Sequence, residues 1–309
     1  MASIPHPAGR VAARAGLVDR LDRTFRWWSF APAVVLLFVL TIFPIVNLLR
    51  MAVSNVQFVD GRAVWSFAPG RNLQAMLGDP VLGAAVVNTA VFVLVAVALE
   101  MAIGIGLALL VARLDRGKGL VRTAMILPIL VPPVAIGSMW KLMYNYDFGV
   151  FNQALTALGA MPVNWLGSTS VALTSVILVD VWHWVPFVFL ILFAAVEGVP
   201  QDVIEAARID GATSGQVTRR IILPLLAPAI GVALLFRGIF AFKAFDEVFL
   251  LTGGGPGTST ELVSLHLYKV FFEQNQLGYG AMLSLAIIAM IVAFLLVARR
   301  AGTALATTP

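Results

Sequence analysis

The feature that most constrains this chain is its series of long apolar runs. A bilayer hydrocarbon core is about 30 Å thick and a helix rises about 1.5 Å per residue, so about 20 apolar residues suffice to cross it. Six runs meet that requirement, at about residues 27–49, 84–112, 123–143, 169–196, 225–244 and 277–298. The sequence therefore predicts an all-α, polytopic membrane protein with six transmembrane helices.

Composition favours lipid over water as the surrounding solvent. Apolar residues make up 60% of the chain and charged residues 12%, whereas soluble domains carry about 25% charged residues. The net charge of +5 comes from short basic clusters beside the apolar runs rather than from a stripe that could follow phosphates, so we expect no nucleic-acid partner. The absence of cysteine excludes disulfides and thiolate metal or redox sites.

The basic residues also predict the orientation of the chain. Residues 1–26 are rich in arginine, and further basic residues lie in alternate connections and after the last run, at Arg113, Arg116, Lys118, Arg122, Arg208, Arg219, Arg220, Arg299 and Arg300. The intervening connections hold only Arg62, Arg71 and Lys269. By the positive-inside rule, both termini are cytoplasmic, as tails at 1–26 and 301–309 around a membrane domain at 27–300.

The first apolar run has a competing interpretation as a signal peptide. It is longer than the apolar region of about 7–15 residues found in signal peptides, so we expect a retained helix. Trp27 and Trp28 at its start are typical of the membrane interface.

Three prolines, Pro128, Pro132 and Pro133, interrupt the third run. Each lacks a backbone donor that lipid cannot replace, so this segment is expected to face protein or a water-filled path. The alternative is that the prolines only kink a helix and shape its packing.

The connection after the fourth run, residues 200–224, reads as two short helices. Asp202 with Glu205, and Thr213 with Gln216, have the spacing of a capping box. Asp210-Gly211 supplies a turn between the helices. Helices this short are marginal in water, so the pair is expected to dock against another surface.

The same connection contains Glu205-Ala206-Ala207, Asp210-Gly211-Ala212, Ile221, Leu223 and Pro224. This string resembles the permease signature of binding-protein-dependent ATP-binding-cassette importers, although Gly215 and Thr218 stand where the family often has aromatic residues. The resemblance implies the type I importer permease fold and a coupling loop at 197–224 that docks on an ATPase subunit. Its coupling residues would be Glu205, Ala206, Ala207, Asp210 and Gly211.

Further stretches are similar to the sugar-importer permeases that pair with a second, different permease, especially the glycine-rich segment 251–257 followed by Thr260. This segment lacks the Lys-Ser/Thr of a phosphate loop, so the chain is not itself predicted to be an ATPase. It is either a simple turn or, as the resemblance implies, a seat for an external binding protein.

The resemblance implies a set of partners in a bacterial inner membrane: a second homologous permease, two ATPase subunits that bind ATP and magnesium, an extracytoplasmic solute-binding protein, and a sugar or polyol. No catalytic residue, cofactor or metal is expected in this chain.

Four polar side chains, Glu100, Asp180, His183 and Arg237, lie within apolar runs and should face the protein interior. Asp180 shares a helix face with Trp184, and Arg237 shares one with the residues three, four and seven positions later. This combination suits a sugar, because charged groups hydrogen-bond to hydroxyl groups, aromatic rings cover C–H faces and small residues leave space. The substrate-path candidates are Asp180, Trp184, Arg237, Phe240, Ala241 and Ala244. The alternatives are that Asp180 simply pairs with Arg237, that Glu100 is structural, and that His183 is packed.

Two other function classes remain open at this stage. A proton- or sodium-coupled secondary transporter could use Glu100 and Asp180 as ion-linked carboxylates, although no inverted repeat is detected. A structural or sensory membrane protein is the third class. Neither requires the 200–224 connection, and the sequence leaves the solute open among disaccharides, monosaccharides, polyols and glycerol phosphate.

Overall fold

The computed structural model describes residues 25, 28–60 and 62–306. The predicted tails therefore lie largely outside the described residues, as does Trp27. The first half of the described chain forms α1 (Ala31–Ala52), β1 (Ser54–Val59), β2 (Arg62–Phe67), α2 (Arg71–Leu77), α3 (Pro80–Ala112), α4 (Lys118–Leu130), α5 (Pro133–Met143) and α6 (Val150–Ala157). The second half forms α7 (Ala172–Glu197), α8 (Gln201–Ile209), α9 (Ser214–Val217), a π-helical turn (Thr218–Ile222), α10 (Leu223–Phe242), α11 (Asp246–Leu251), α12 (Val263–Tyr268), a second π-helical turn (Lys269–Glu273) and α13 (Leu277–Ala306).

Five of the six predicted spans are single helices in the structure, and the third is a bent helix pair. Within the described residues, five helices are long and apolar enough to cross a membrane, and they contain α1, α3, α7, α10 and α13. Their ends differ from the sequence estimates by a few residues, because apolar composition does not locate the capping residues. For example, the second span begins at Pro80, where the Asp79 side chain accepts hydrogen bonds from the amides of Val81 and Leu82.

The third predicted span, which the three prolines interrupt, is a bent pair of helices in the structure. The helices α4 and α5 meet at an angle of 94°. Val131, which precedes Pro132, is extended with φ −75° and ψ 126°, as the ring of a following proline favours. Pro133 then begins α5. The paired prolines therefore turn the segment rather than merely kinking it.

A two-stranded antiparallel hairpin follows α1, and the all-helical expectation missed it. The pairing places Ser54 opposite Phe67 and Val56 opposite Trp65. Asn72 of α2 secures its base, donating to the carbonyl oxygens of Ala52 at 2.8 Å and Ser54 at 3.0 Å. Asp60-Gly61 is a turn signal that could have revealed the hairpin.

The core of the protein is centred on α7, whose closest neighbour is α3. Phe92, Val176, Val188 and Phe189 are fully buried between the helices. In contrast, most side chains of α1 are exposed apolar groups, since this helix packs mainly against α13 and the hairpin. Such an apolar surface must be covered by lipid or by a partner chain.

Gly104 permits the close approach of α3 to α7, which gives a stability test. A methyl group at this position would lie 2.6 Å from Val188 Cγ1. We expect Gly104→Ala to destabilise the protein by about 1–3 kcal/mol, because the helices would have to separate. The measurement is thermal unfolding of the purified protein in detergent.

Gly106 on the same helix is the matched control, since a methyl group there would meet nothing within 4 Å. Gly106→Ala should leave the melting temperature unchanged or raise it slightly through helix propensity. Equal melting temperatures for the two variants would contradict the packing argument.

Candidate functional site

A buried charge cluster joins three of the membrane-spanning helices. Arg237 of α10 lies between Glu100 of α3 and Asp180 of α7. Its Nη2 is 2.8 Å from Glu100 Oε1 and also contacts Asp180 Oδ2, while its Nε contacts Glu100 Oε2. All three side chains are at most 1% exposed. A single cation therefore bridges carboxyl groups from two other helices inside the membrane domain.

The cluster explains how these charges are tolerated in the membrane. An isolated ion at the bilayer centre costs several kcal/mol, whereas here each charge has an opposite partner in contact. The Arg237 guanidinium also lies over the Trp184 ring, 5.1 Å from its centroid, where the negative face of the indole attracts a cation. The pairing of Asp180 with Arg237, weighed from the sequence as an alternative, is present in the structure.

Beside the cluster lies a cavity of about 170 Å³ between α5, α7, α10 and α11. Of the substrate-path candidates, Asp180, Trp184, Phe240 and Ala244 line it. Arg237 and Ala241 do not, because both are fully buried behind its wall. Trp184 and Phe240 form the aromatic part of the wall, with ring centroids 5.3 Å apart.

The cavity also has polar residues that the sequence argument did not select. His183 Nδ1 lies 2.9 Å from Glu247 Oε1, and both side chains are buried. Lys243 and Asp246 are exposed at the same cavity. The available signal was the charged segment 243–247 directly after the fifth apolar run, where α10 ends and α11 begins. Within the part of the chain that the structure describes, no group of three or more metal-ligating side chains could hold a metal ion.

The predicted coupling loop forms the short helix α8, as expected, whereas α9 continues through the π-helical turn into α10. Gly211 adopts φ +83° in the turn between α8 and α9, a conformation that favours glycine. The capping box of α9 is confirmed, since the Thr213 amide donates to Gln216 Oε1 at 2.7 Å and the Gln216 amide donates to Thr213 Oγ1. Glu205, Ala206, Asp210 and Gly211 are exposed, and Ala207 is half-buried.

The predicted capping box at Asp202 and Glu205 is wrong. The helix α8 begins after Pro200, and no side chain caps its N-terminus. Asp202 therefore lies within the first turn, where its carboxylate is placed to interact favourably with the helix dipole. The sequence spacing was correct for a cap, but proline took the capping position.

Contacts near the coupling loop connect it to the membrane helices. Lys118 Nζ at the start of α4 is 2.8 Å from Glu197 Oε1 at the end of α7. Arg113 after α3 donates to Thr218 Oγ1 at 3.0 Å. The loop itself leaves α7 and enters α10, the two helices that carry Trp184 and Phe240 of the cavity wall.

The glycine-rich segment at the other end of the membrane domain is anchored by side chains. Asn88 of α3 donates to the Thr258 carbonyl at 2.7 Å and the Glu261 carbonyl at 3.1 Å. Lys269 Nζ donates to the Gly253 carbonyl at 2.9 Å and to Glu261 Oε2 at 2.7 Å. A side chain at Gly254, which has φ +95°, would collide with the Glu261 carboxylate. The segment is thus a loop held by specific side-chain hydrogen bonds, in contrast to a simple turn.

His266 holds this loop to the start of α3. Its Nε2 is 2.8 Å from Asp79 Oδ2, and its Nδ1 is 3.7 Å from Glu261 Oε1. Burial acts to lower the pKa of His266, but hydrogen bonds and charge from Glu261 and Asp79 outweigh it and raise that pKa above 6.5. Burial acts to raise the pKa of Asp79, but hydrogen bonds from Tyr279 and His266 outweigh it, so that pKa is lowered.

Comparison with known proteins settles the family. The profile described as "Binding-protein-dependent transport system inner membrane component" matches residues 100–306, which contain the charge cluster, the coupling loop and the cavity. The chain belongs to this family. It is a multi-pass inner-membrane permease subunit, and the resemblance drawn from residues 200–224 is confirmed.

Relatives and a solved structure agree with this assignment. The permease is 38% identical to the trehalose/maltose transport system permease protein MalF of Thermococcus litoralis over 214 residues, covering 69% of this chain and 72% of that protein. It is 37% identical to the probable ABC transporter permease protein y4oQ of Sinorhizobium fredii, covering 93% and 92%. A chain in the crystal structure of a bacterial ABC transporter involved in the import of alginate shares the fold, with a TM-score of 0.80 at 19% identity over 93% of this permease and 98% of that chain.

Removal of the central cation tests the charge cluster. Arg237→Met would leave the carboxylates of Glu100 and Asp180 buried without a partner, so we expect a loss of about 3–5 kcal/mol of stability. Thermal unfolding in detergent is the measurement. Arg219→Met, at an exposed arginine, is the control and should have little effect.

The mechanism of that loss is checked by neutralising the orphaned carboxylates. Glu100→Gln with Asp180→Asn, added to Arg237→Met, should recover part of the lost stability because no unpaired charge remains buried. A triple variant no more stable than the single variant would show that Arg237 acts through packing alone.

The His266 contacts predict a pH dependence. Because the folded pKa of His266 is raised, its contribution to stability is fully present below about pH 6.5 and is lost as pH rises through the folded pKa. The melting temperature of the wild type should therefore exceed that of His266→Gln most at about pH 6, and the difference should shrink toward about pH 9. A difference that is constant over this range would contradict the ionic role of His266.

Proposed function

We propose that this permease forms half of a translocation path for a sugar or polyol, with a second homologous permease forming the other half. Two ATPase subunits hydrolyse ATP for it, and an extracytoplasmic binding protein delivers the solute. The observation that carries this proposal is the cavity beside the charge cluster, where the Trp184 and Phe240 rings adjoin Asp180, His183 and Glu247. Rings cover the C–H faces of a sugar, and carboxylates accept hydrogen bonds from its hydroxyl groups.

The solute class has independent support from the relatives. The trehalose/maltose permease of Thermococcus litoralis is 38% identical to this chain, and both solutes in its name are disaccharides. The sequence contains no phosphate loop of the G-x-x-x-x-G-K-[ST] type, so ATP and magnesium are assigned to the partner subunits.

The geometry suggests how ATP binding reaches the cavity. The coupling loop, residues 197–224, connects α7 to α10, and those helices carry adjoining parts of the cavity wall. Val203 and Ile209 of α8 are exposed apolar side chains, with Ile209 86% exposed, which suits docking in a cleft of an ATPase subunit. When the ATPases close, displacement of α8 would move α7 relative to α10 and reshape the cavity.

We place the coupling loop and both termini in the cytoplasm, following the basic residues, and the glycine-rich loop on the outer side. On this orientation, the anchored loop near His266 and Lys269 would face the binding protein. Residues 1–26 and 301–309 would be cytoplasmic tails of the membrane domain at 27–300.

The secondary-transporter alternative needs carboxylates that take up and release an ion. Glu100 and Asp180 both contact Arg237 and have almost no exposed surface. This arrangement favours a fixed structural charge cluster over an exchangeable ion site.

Substitutions in α8 and the following turn test the coupling proposal. Glu205→Lys reverses the charge of an exposed helix residue, and Gly211→Pro cannot adopt the observed φ of +83°. Both should abolish ATP-dependent uptake in proteoliposomes, while the permease still inserts and co-purifies with its second permease.

Gly215→Ala is the matched control, since a methyl group there meets nothing within 4 Å and the residue does not need positive φ. Its uptake should equal that of the wild type. Normal uptake by both Glu205→Lys and Gly211→Pro would exclude the coupling role. Purification of the permease without any ATPase partner, with uptake driven by an ion gradient, would exclude the importer itself.

A further inference from the structure

The charges around the cavity are unequal in number. Asp180, Asp246 and Glu247 line it, and Glu100 lies directly behind Asp180 through Arg237. Against the three lining carboxylates, the lining holds one permanent cation, Lys243, and His183 adds a second only when protonated. Arg237 lies behind the wall, in contact with Asp180 and Glu100. A cavity whose walls carry an excess of one sign concentrates ions of the opposite sign and repels its own.

The positions of the cations matter as much as their number. Arg237 has no exposed surface and is occupied by Glu100, Asp180 and the face of Trp184. It cannot donate to a solute in this conformation. Lys243 is exposed at the cavity, and Asp246 of the same lining carries the opposite charge.

The hydrogen-bonding character of the lining points the same way. The buried His183–Glu247 pair and Asp180 present carboxylate oxygens, which only accept hydrogen bonds when ionised. Hydroxyl groups and ammonium groups can donate to them, whereas a solute carboxylate or phosphate cannot. Trp184, Phe240 and Phe245 add ring surfaces that suit C–H faces and cations.

We propose that this cavity selects uncharged or cationic polyhydroxylated solutes and rejects anionic ones such as uronates and phosphate esters. The inference rests on the proposed transport function and names its substrate class. It also assigns roles to residues that the substrate-path set did not include: Asp246 and Glu247 set the sign of the cavity, and Lys243 moderates it.

Collisional quenching of Trp184 fluorescence tests the sign of the cavity without knowledge of the solute. The permease, purified with its native partners in nanodiscs, is titrated with caesium, iodide and acrylamide. The Trp184 signal is the difference between the wild type and Trp184→Phe, and each quencher is normalised to tryptophan amide in the same buffer. Acrylamide is uncharged and reports access alone.

We expect normalised quenching by caesium to exceed that by iodide by at least about threefold, as an acidic cavity requires. Asp246→Asn should reduce that ratio, and Lys243→Gln should increase it, while acrylamide quenching stays unchanged in both. Iodide quenching equal to or greater than caesium quenching in the wild type would overturn the proposal.

Uptake separates this proposal from the transport function on which it rests. Proteoliposomes containing the complete importer and internal ATP are supplied with labelled maltose, glucosamine, glucuronate or glycerol 3-phosphate. Uptake of either anion at a rate equal to that of maltose would overturn the charge selection while supporting the importer. ATP-dependent uptake of none of the four would count against a sugar importer, and the quenching ratio would still decide the sign of the cavity.

Discussion

The contact between Arg237 and the carboxylates of Glu100 and Asp180 is the interaction on which the rest of the membrane domain depends. A lone charge in the bilayer interior is costly, so these residues keep α3, α7 and α10 in contact. The tight approach of α3 to α7 at Gly104 reinforces the same arrangement. The Arg237 guanidinium also lies against the face of the Trp184 ring. The charge cluster therefore helps to position a residue that lines the cavity.

This arrangement separates structural charge from functional charge. Arg237 is paired with Glu100 and Asp180. The polar groups available to a solute therefore lie at the junction of α10 and α11, where His183 contacts Glu247 and where Lys243 and Asp246 are exposed. The same helices join the cavity to the coupling loop, since α7 leads into that loop and α10 leaves it. A movement of α8 can therefore reach the cavity wall directly through α7 and α10.

The opposite end of the domain is held by side-chain hydrogen bonds in addition to apolar packing. Asn88 and Asp79 at the start of α3 bind the glycine-rich loop and His266, and Lys269 closes the loop from its other side. Asn88 and Lys269 each donate to backbone carbonyl groups of the loop, which are obligatory hydrogen-bonding groups.

The sequence by itself determined the membrane class, five continuous spans and the permease family, because apolar length and a local motif are properties of consecutive residues. It also predicted the Thr213 capping box, which involves only near neighbours. It missed the hairpin after α1, the turn between α4 and α5, and the proline at the start of α8. Tertiary structure alone decided that Arg237 lies behind the cavity wall and that Glu247 lies within it, because charges 137 residues apart in sequence meet only when the helices pack.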